Sequence, residues 1–158
     1  MLTGALASSY YGHPRTTTDI DVVVVATRDD LAKLAKFLRG ASFNVEEQRL
    51  GAAWHSQYRI ATITDGKSPH TLDIIFTDKK LERKIGSVLG LPTFYQTPES
   101  LILAKLRMIK ATVNPERAAI DREDIKAILK FTRVNLKHVR EKSKVQSTSE
   151  MLEGMIRE

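Results

Sequence analysis

Residues 17–25 read Thr17-Thr18-Asp19-Ile20-Asp21-Val22-Val23-Val24-Val25, so two aspartates separated by one residue precede four valines. The valine run has the length and composition of a buried β-strand. Because side chains alternate between the two faces of a strand, Asp19 and Asp21 share one face, and Ile20 is expected to point into the core. Two carboxylates on one face repel each other unless a cation lies between them. The pattern favours a divalent-metal site over the alternative, a solvent-facing acidic pair.

A third carboxylate, Asp73, lies inside the apolar run Thr71-Leu72-Asp73-Ile74-Ile75-Phe76. An aspartate in such a strand is unfavourable unless it is paired, protonated or bound to metal. If this strand lies beside the first, at about 5 Å, Asp73 joins the pair. Three carboxylates can hold two metal ions about 4 Å apart, as in-line nucleotidyl transfer requires. We therefore predict Asp19, Asp21 and Asp73 as catalytic metal ligands. The expected cofactor is Mg²⁺, with Mn²⁺ as a substitute. The alternative for Asp73 is a surface-facing residue of an amphipathic strand.

The rest of the chain alternates between helix and strand signals. Thr27-Arg28-Asp29-Asp30 has the form of a helix N-cap, and apolar residues at helical spacing predict a helix that ends at Gly40. The next predicted elements, in chain order, are strands at 43–50 and 57–64, a turn at 65–69, a strand at 71–77 that completes a hairpin, and a short polar helix at 79–87.

Helices are predicted to begin at Thr97-Pro98 and at Asp121, and the residues from Val134 onward are predicted to form a solvated helix or a frayed tail. Strands followed by helices indicate an α/β (α+β) fold, with a mixed β-sheet, flanking helices and a helical C-terminal part. We assign residues 1–95 to the core sheet with the carboxylates. Residues 96–158 form a helical segment with a basic tail, which we expect to pack on the same domain.

The composition narrows the class of protein. The 158 residues include no cysteine, which excludes a disulfide framework, a thiolate metal site and a cysteine nucleophile. No apolar run approaches the roughly 20 residues that cross a bilayer, and the first residues lack a basic leader, so we expect a cytoplasmic protein with no membrane partner. The net charge of +6 either attracts anionic partners such as nucleotides and RNA or simply maintains solubility.

Upstream of the aspartates, Gly4 would let the backbone approach phosphate oxygens closely, and a helix at residues 5–11 would direct its N-terminus at the anion. Taken with Asp19 and Asp21, the turn at Gly4 and Ala5 resembles the signature of the DNA polymerase beta-like nucleotidyltransferase superfamily. Residues 12–21, GHPRTTTDID, are most similar to the small prokaryotic members related to abortive-infection, or toxin–antitoxin, nucleotidyltransferases.

The resemblance runs to about residue 129. It includes the helix that carries Lys105, and Arg117 followed by Asp121 and Asp124. Each residue also has a structural alternative. Lys105 would lie along an amphipathic helix, Asp121 would cap a helix with Asp124 in its first turn, and Arg15 would pair with an acid beside its loop.

The resemblance implies a magnesium-dependent enzyme that uses a nucleoside triphosphate. Asp19 and Asp21 would bind metal, and Asp73 would be the third ligand and help to activate the acceptor hydroxyl. Asp121 and Asp124 are further candidates for the site. The residues implied to contact the nucleotide and its phosphates are Gly4, Ala5, Arg15, Thr17 and Lys105.

We therefore predict an enzyme that moves a nucleoside monophosphate to an acceptor hydroxyl and releases pyrophosphate. Candidate acceptors are RNA, especially tRNA, a protein side chain or a small molecule, and a cognate antitoxin is a candidate partner. Ala5 stands where the superfamily has glycine or serine, which favours an alternative: a weak or inactive module of the same fold that binds nucleotide, RNA or a partner protein. A metal-dependent phosphohydrolase or nuclease is a third reading, although such an enzyme would not need the Gly4 turn.

Overall fold

The computed structural model describes residues 1–64 and 68–157. The chain folds into two compact units, which we call the sheet unit (residues 1–6 and 16–95) and the helical unit (residues 7–15 and 96–158). The strands are β1 (Asp19–Val25), β2 (Ile60–Thr64), β3 (Thr71–Thr77), β4 (Arg83–Val88) and β5 (Leu91–Gln96). The helices are α1 (Gly4–Tyr10), α2 (Leu31–Gly40), α3 (Glu47–His55), α4 (Pro98–Ala111), α5 (Pro115–Phe131), α6 (Leu136–Val145) and α7 (Ser149–Arg157). This order confirms the mixed α+β class. No described helix is both long and apolar enough to cross a membrane.

The larger sheet of the sheet unit has the strand order β1-β3-β2. β3 runs parallel to β1 and antiparallel to β2, which confirms the predicted hairpin. Residues 65–67 of its predicted turn lie outside the described residues. The parallel register sets Asp21 opposite Asp73 and Asp19 opposite Thr71. The strand that carries Asp73 therefore lies directly beside the strand that carries the aspartate pair.

One face of this sheet packs on α2 and α3. The buried core on that face consists of Ala26, Leu31, Ala35, Leu38, Val45, Leu50, Ala61, Ile63, Ile74 and Phe76. In β1, Val22 and Val24 pack against this core, whereas Ile20 is 37% exposed. The expectation that Ile20 is buried is wrong, because the apolar packing of β1 begins only at Val22. The opposite face carries the aspartates.

Residues 43–50 do not form the predicted strand. Val45 is buried, but the chain enters α3 at Glu47, and the apolar residues that follow, Leu50, Ala53 and Trp54, recur at helical spacing. Leu50 is completely buried. The alternation at the start of this segment is too short to specify a strand, and the helical periodicity prevails.

Residues 79–87 also differ from the prediction, because they contain β4 instead of a polar helix. β4 pairs with β5 in a two-stranded sheet. The turn between them places Leu89 and Gly90 at φ 49° and 79°, as a two-residue hairpin loop with two left-handed positions requires. Leu2 forms bridges to both Val22 and Tyr95, so the first residues of the chain lie between β1 and β5.

Helix α4 of the helical unit begins as predicted. Thr97 Oγ1 accepts a hydrogen bond from the Ser100 N–H (3.3 Å) and caps it. By contrast, α5 begins at Pro115, where the Asn114 side chain is the cap. The predicted start at Asp121 is therefore wrong, since Asp121 lies inside the helix.

The residues beyond Val134 form two packed helices. α6 buries Val139, and α7 buries Leu152 and Met155. The prediction of a solvated or frayed tail is therefore wrong, because the apolar residues of both helices contribute to the core of the helical unit.

Candidate functional site

The face of the sheet unit opposite α2 and α3 carries the three predicted metal ligands, and we call it the carboxylate face. Asp19 and Asp21 project from β1, and Asp73 projects from β3. Because Asp21 and Asp73 are direct register partners, their Cα atoms are about 5 Å apart, the ordinary spacing between strands. The structure thus places three acids from two distant parts of the sequence on one face of the sheet, with Asp21 and Asp73 directly opposite each other.

Threonine hydroxyls hold two of these carboxylates. Asp19 Oδ1 accepts hydrogen bonds from Thr71 Oγ1 (2.8 Å) and Thr18 Oγ1 (3.2 Å). Asp73 Oδ1 accepts one from Thr62 Oγ1 on β2 (2.6 Å). Sequence reasoning missed these donors, because cross-strand neighbours depend on a register that the sequence does not show.

Within residues 1–64 and 68–157, no three His, Cys, Asp or Glu side chains converge as a ready-made metal site. Mg²⁺ needs only one or two carboxylates, however, since water and phosphate oxygens complete its coordination shell. Asp21 and Asp73 supply such a pair, and Asp19 lies two residues away along β1. The donor chemistry therefore fits a magnesium site based on two carboxylates, with the third close by.

Gly4 lies directly against Asp21. Its φ is +56°, and a Cβ built on it would lie 1.9 Å from Asp21 Oδ2. The Thr3 N–H donates to the Asp21 carbonyl oxygen (3.0 Å), which fixes this turn beside β1. Only glycine satisfies both the left-handed backbone and the missing space. The predicted phosphate-binding turn and a predicted metal ligand are therefore in contact. Ala5 follows with its side chain buried, so it can offer a ligand only its backbone.

A Gly4→Ala variant is expected to displace the Asp21 carboxylate and weaken Mn²⁺ binding by at least about tenfold, in the range found when a group that orients a metal ligand is lost. The measurement is Mn²⁺ titration followed by electron paramagnetic resonance. Gly90→Ala is the matched control, because Gly90 is also left-handed (φ +79°) but has open space around it. Both variants should lose about 1–2 kcal/mol of stability from backbone strain. Equal Mn²⁺ affinities for the two variants would contradict the crowding at Asp21.

Thr17, predicted to reach phosphate oxygens, uses its hydroxyl on the backbone at the start of β1. Thr17 Oγ1 accepts from the Asp19 N–H (3.2 Å) and donates to the Asp19 carbonyl oxygen (3.0 Å). This closed local turn sets the direction in which the chain enters the strand.

The helical unit contains a buried charge cluster around Lys105. Lys105 Nζ lies 2.8 Å from Asp121 Oδ1 and 2.5 Å from Asp124 Oδ2. All three side chains are buried, so Lys105 does not extend along the helix surface, and neither aspartate lies in a first helical turn. Those structural alternatives are therefore wrong. The ammonium group predicted to contact phosphate is held between two carboxylates.

Two residues from the segment before β1 complete the cluster. His13 Nδ1 is hydrogen-bonded to Asp124 Oδ1, and Arg15 Nε lies 3.6 Å from the same oxygen. The alternative in which Arg15 pairs with an acid is thus the observed arrangement. Burial of Asp124 favours its neutral form, but the hydrogen bond and charge of Lys105, with His13 and Arg15, outweigh burial and hold the pKa of Asp124 below its ordinary value. The stabilisation that this carboxylate provides is therefore lost only as the pH falls through that lowered pKa.

Further contacts fix residues 11–13 against the end of α5. Thr132 Oγ1 donates to the Tyr11 carbonyl oxygen (3.0 Å). Gly12 has φ +115°, and a Cβ there would lie 2.7 Å from Phe131 Cβ. His13 follows this glycine in the sequence, a position that suggested a structural role for His13 but did not indicate Asp124 as its partner.

No protein-family model matches the chain, and no curated protein sequence matches it. Among solved structures, it is similar to an antigenic nucleotidyltransferase-like protein from Paracoccidioides brasiliensis. The TM-score is 0.55 and the identity 15%, over 94% of this chain and 83% of that chain. A likeness at this identity concerns the fold alone. The chain has a nucleotidyltransferase-like α+β fold, as the resemblance of the segment from Gly4 to Asp21 predicted.

Proposed function

We propose that the chain is a magnesium-dependent nucleotidyltransferase. The observation that carries the proposal is the contact at β1: Asp21 is paired with Asp73 on the adjacent parallel strand, and Gly4 leaves no room for a side chain beside Asp21 Oδ2. Paired carboxylates next to a glycine turn suit a substrate that brings both phosphate and a divalent cation. The nucleotidyltransferase-like fold supports the same class of reaction.

In the proposed reaction, an acceptor hydroxyl forms a bond to the α-phosphorus of a nucleoside triphosphate, and the bond from that phosphorus to pyrophosphate breaks. Asp19, Asp21 and Asp73 would hold Mg²⁺, which supplies Lewis-acid polarisation of the phosphate oxygens. Asp73 would help to take up the acceptor proton. Gly4 and Ala5 would present backbone to the phosphates. Arg15, Thr17 and Lys105 would have to give up the contacts described above to bind a phosphate.

The acceptor we favour is RNA, and tRNA is the first candidate to test. The helical unit carries basic residues on α5, α6 and the segment between them, which would attract a polyanion in a salt-dependent manner. These residues are Lys126, Lys130, Arg133, Lys137, Arg140, Lys142 and Lys144. A cytoplasmic role beside a cognate antitoxin, as in the abortive-infection systems, forms part of the same proposal.

The test is incubation of the full chain with each α-³²P-labelled nucleoside triphosphate and total RNA, with Mg²⁺ or with EDTA. We expect Mg²⁺-dependent label on RNA and stoichiometric release of pyrophosphate. Label on the protein itself or on a small molecule would identify an acceptor other than RNA, and the proposed type of reaction would be unchanged. Release of free phosphate without transfer would identify a hydrolase and refute the proposal.

The second candidate is a binding module of the same fold with little or no activity. Two observations favour it: Ala5 at the glycine turn, and the absence of a converged group of three metal-binding side chains among residues 1–64 and 68–157. Equilibrium dialysis with labelled ATP separates the candidates. If the chain binds ATP but transfers no nucleotide to any acceptor tested, it is a binding module.

A further inference from the structure

The threonine hydroxyls on the carboxylate face meet the aspartates in a repeated arrangement. Thr62 is the register partner of Asp73 across the β2–β3 pair, and Thr71 is the register partner of Asp19 across the β1–β3 pair. Each threonine donates a short hydrogen bond to its partner, 2.6 Å in the first pair and 2.8 Å in the second. Two outer carboxylates of the proposed site are therefore held in the same way from neighbouring strands.

The hydrogen bonds also distinguish the two oxygens of each carboxylate. Among residues 1–64 and 68–157, every side-chain hydrogen bond to Asp19 or Asp73 ends on Oδ1, including the one from Thr18. A hydroxyl has one proton to donate, and that proton occupies a lone pair of Oδ1. Each carboxylate is thus oriented with Oδ2 as the oxygen that no hydroxyl engages.

Divalent cations differ in the number of oxygens that they bind and in how many of them one carboxylate supplies. Mg²⁺ requires a near-ideal octahedron and is bound through one or two carboxylates with water and phosphate oxygens. Ca²⁺ is larger and accepts six to eight oxygens, often with both oxygens of one carboxylate. An aspartate whose Oδ1 is held by a hydroxyl offers a single oxygen, which suits Mg²⁺ and penalises the two-oxygen mode of Ca²⁺.

We propose that Thr62 and Thr71 are positioning residues that select Mg²⁺ over Ca²⁺ by restricting Asp73 and Asp19 to one ligating oxygen each. This inference rests on the proposed metal site. The inference depends on the hydroxyl of threonine. Valine is also β-branched and suits a strand equally well, but it has no hydroxyl. A purely structural role would require the shape of threonine and not its proton.

The test measures cation competition in the metal-free full chain, without nucleotide. Mn²⁺ binding is followed by electron paramagnetic resonance, and Mg²⁺ and Ca²⁺ are added as competitors. In Thr62→Val and Thr71→Val, we expect the preference for Mg²⁺ over Ca²⁺ to fall by about tenfold, the lower end of the effect of losing a residue that orients a metal ligand. Thr62→Ser and Thr71→Ser restore the hydroxyl and should keep most of the preference.

Thr77→Val is the matched control. Thr77 lies on β3, on the same face as Asp73, but its hydroxyl accepts a hydrogen bond from the Lys79 N–H (3.1 Å) and does not hold a carboxylate. Its Mg²⁺/Ca²⁺ preference should match that of the parent chain. Circular dichroism in EDTA checks that each variant is folded, and because the two threonines lie on different strands, each variant tests the inference independently.

The outcomes distinguish a failure of the threonine inference from a failure of the proposed metal site. If the parent chain binds Mn²⁺ and Asp21→Asn does not, the site exists; an unchanged preference in both valine variants then overturns the threonine inference alone. If the parent chain binds no Mn²⁺, or if Asp21→Asn binds it equally well, the carboxylate site is refuted together with the inference.

Discussion

An Asp21→Asn variant is expected to lose Mg²⁺-dependent transfer by about 100- to 1,000-fold, because the metal contributes several kcal/mol of transition-state stabilisation and each 1.36 kcal/mol is a factor of ten in rate. Asparagine keeps the size of the side chain beside Gly4, so the fold should persist. Stability in EDTA should be unchanged or higher, since one of two neighbouring carboxylates loses its charge. Initial rates of label transfer and thermal unfolding in EDTA measure the two effects separately.

The control for this experiment is Asp29→Asn, which makes the same charge change at an exposed residue in the short turn between β1 and α2. It should leave the rate within about threefold of the parent, as expected of a surface substitution. Full transfer activity in Asp21→Asn would contradict the metal role of the pair Asp21–Asp73 and, with it, the proposed mechanism.

A Lys105→Met variant is expected to lose about 3–5 kcal/mol of stability, because removing one partner of a buried ion pair leaves uncompensated charge. Methionine retains most of the apolar volume, so the loss reports charge more than packing. Asp121 and Asp124 are both essentially inaccessible to solvent; Asp121 would keep its contact with Arg117, and Asp124 would keep its contacts with Arg15 and His13. Urea unfolding followed by far-ultraviolet circular dichroism measures the free energy of unfolding.

Lys110→Met provides the matched control on the same helix, since Lys110 is exposed and its Nζ donates one hydrogen bond to the Gln146 carbonyl oxygen (3.2 Å). Its effect should stay near 0.5 kcal/mol, as is usual at the surface. In the double variant Lys105→Met/Asp124→Asn, part of the lost stability should return. A Lys105→Met loss as small as that of the control would mean that the cluster is not buried in solution.

Some of the site could be predicted from sequence because its geometry is local. Asp19 and Asp21 share a face by the two-residue period of any strand, and the valines that follow identify the strand. Asp121 and Asp124 are three positions apart and therefore share a helical face. What they face could not be predicted, since Lys105 and His13 reach them through tertiary packing alone. The contacts of Thr62 and Thr71 with the aspartates could not be predicted either, because they depend on the strand register.

The predictions for β4 and for residues 43–50 were wrong for a different physical reason. β4 has no apolar alternation because nearly all of its residues are exposed, including Arg83, Lys84 and Ile85, so its sequence looks like that of a polar helix. In residues 43–50, the reverse holds: two apolar residues alternate before the helical period begins. Periodicity specifies an element only where one face is buried and the other is not.

The contact between His13 and Asp124 spans 111 residues, and that between Tyr11 and Thr132 spans 121. A ribosome therefore completes the segment leading to Asp19 long before it makes the residues that fasten that segment. A nascent chain can form β1 and β3 early, but His13 and Arg15 meet Asp124, and the Tyr11 carbonyl oxygen meets Thr132, after α5 has emerged. Chains that end before α5 therefore carry the carboxylates of β1 and β3 without the contacts to Asp124 and Thr132 that hold the segment before Asp19.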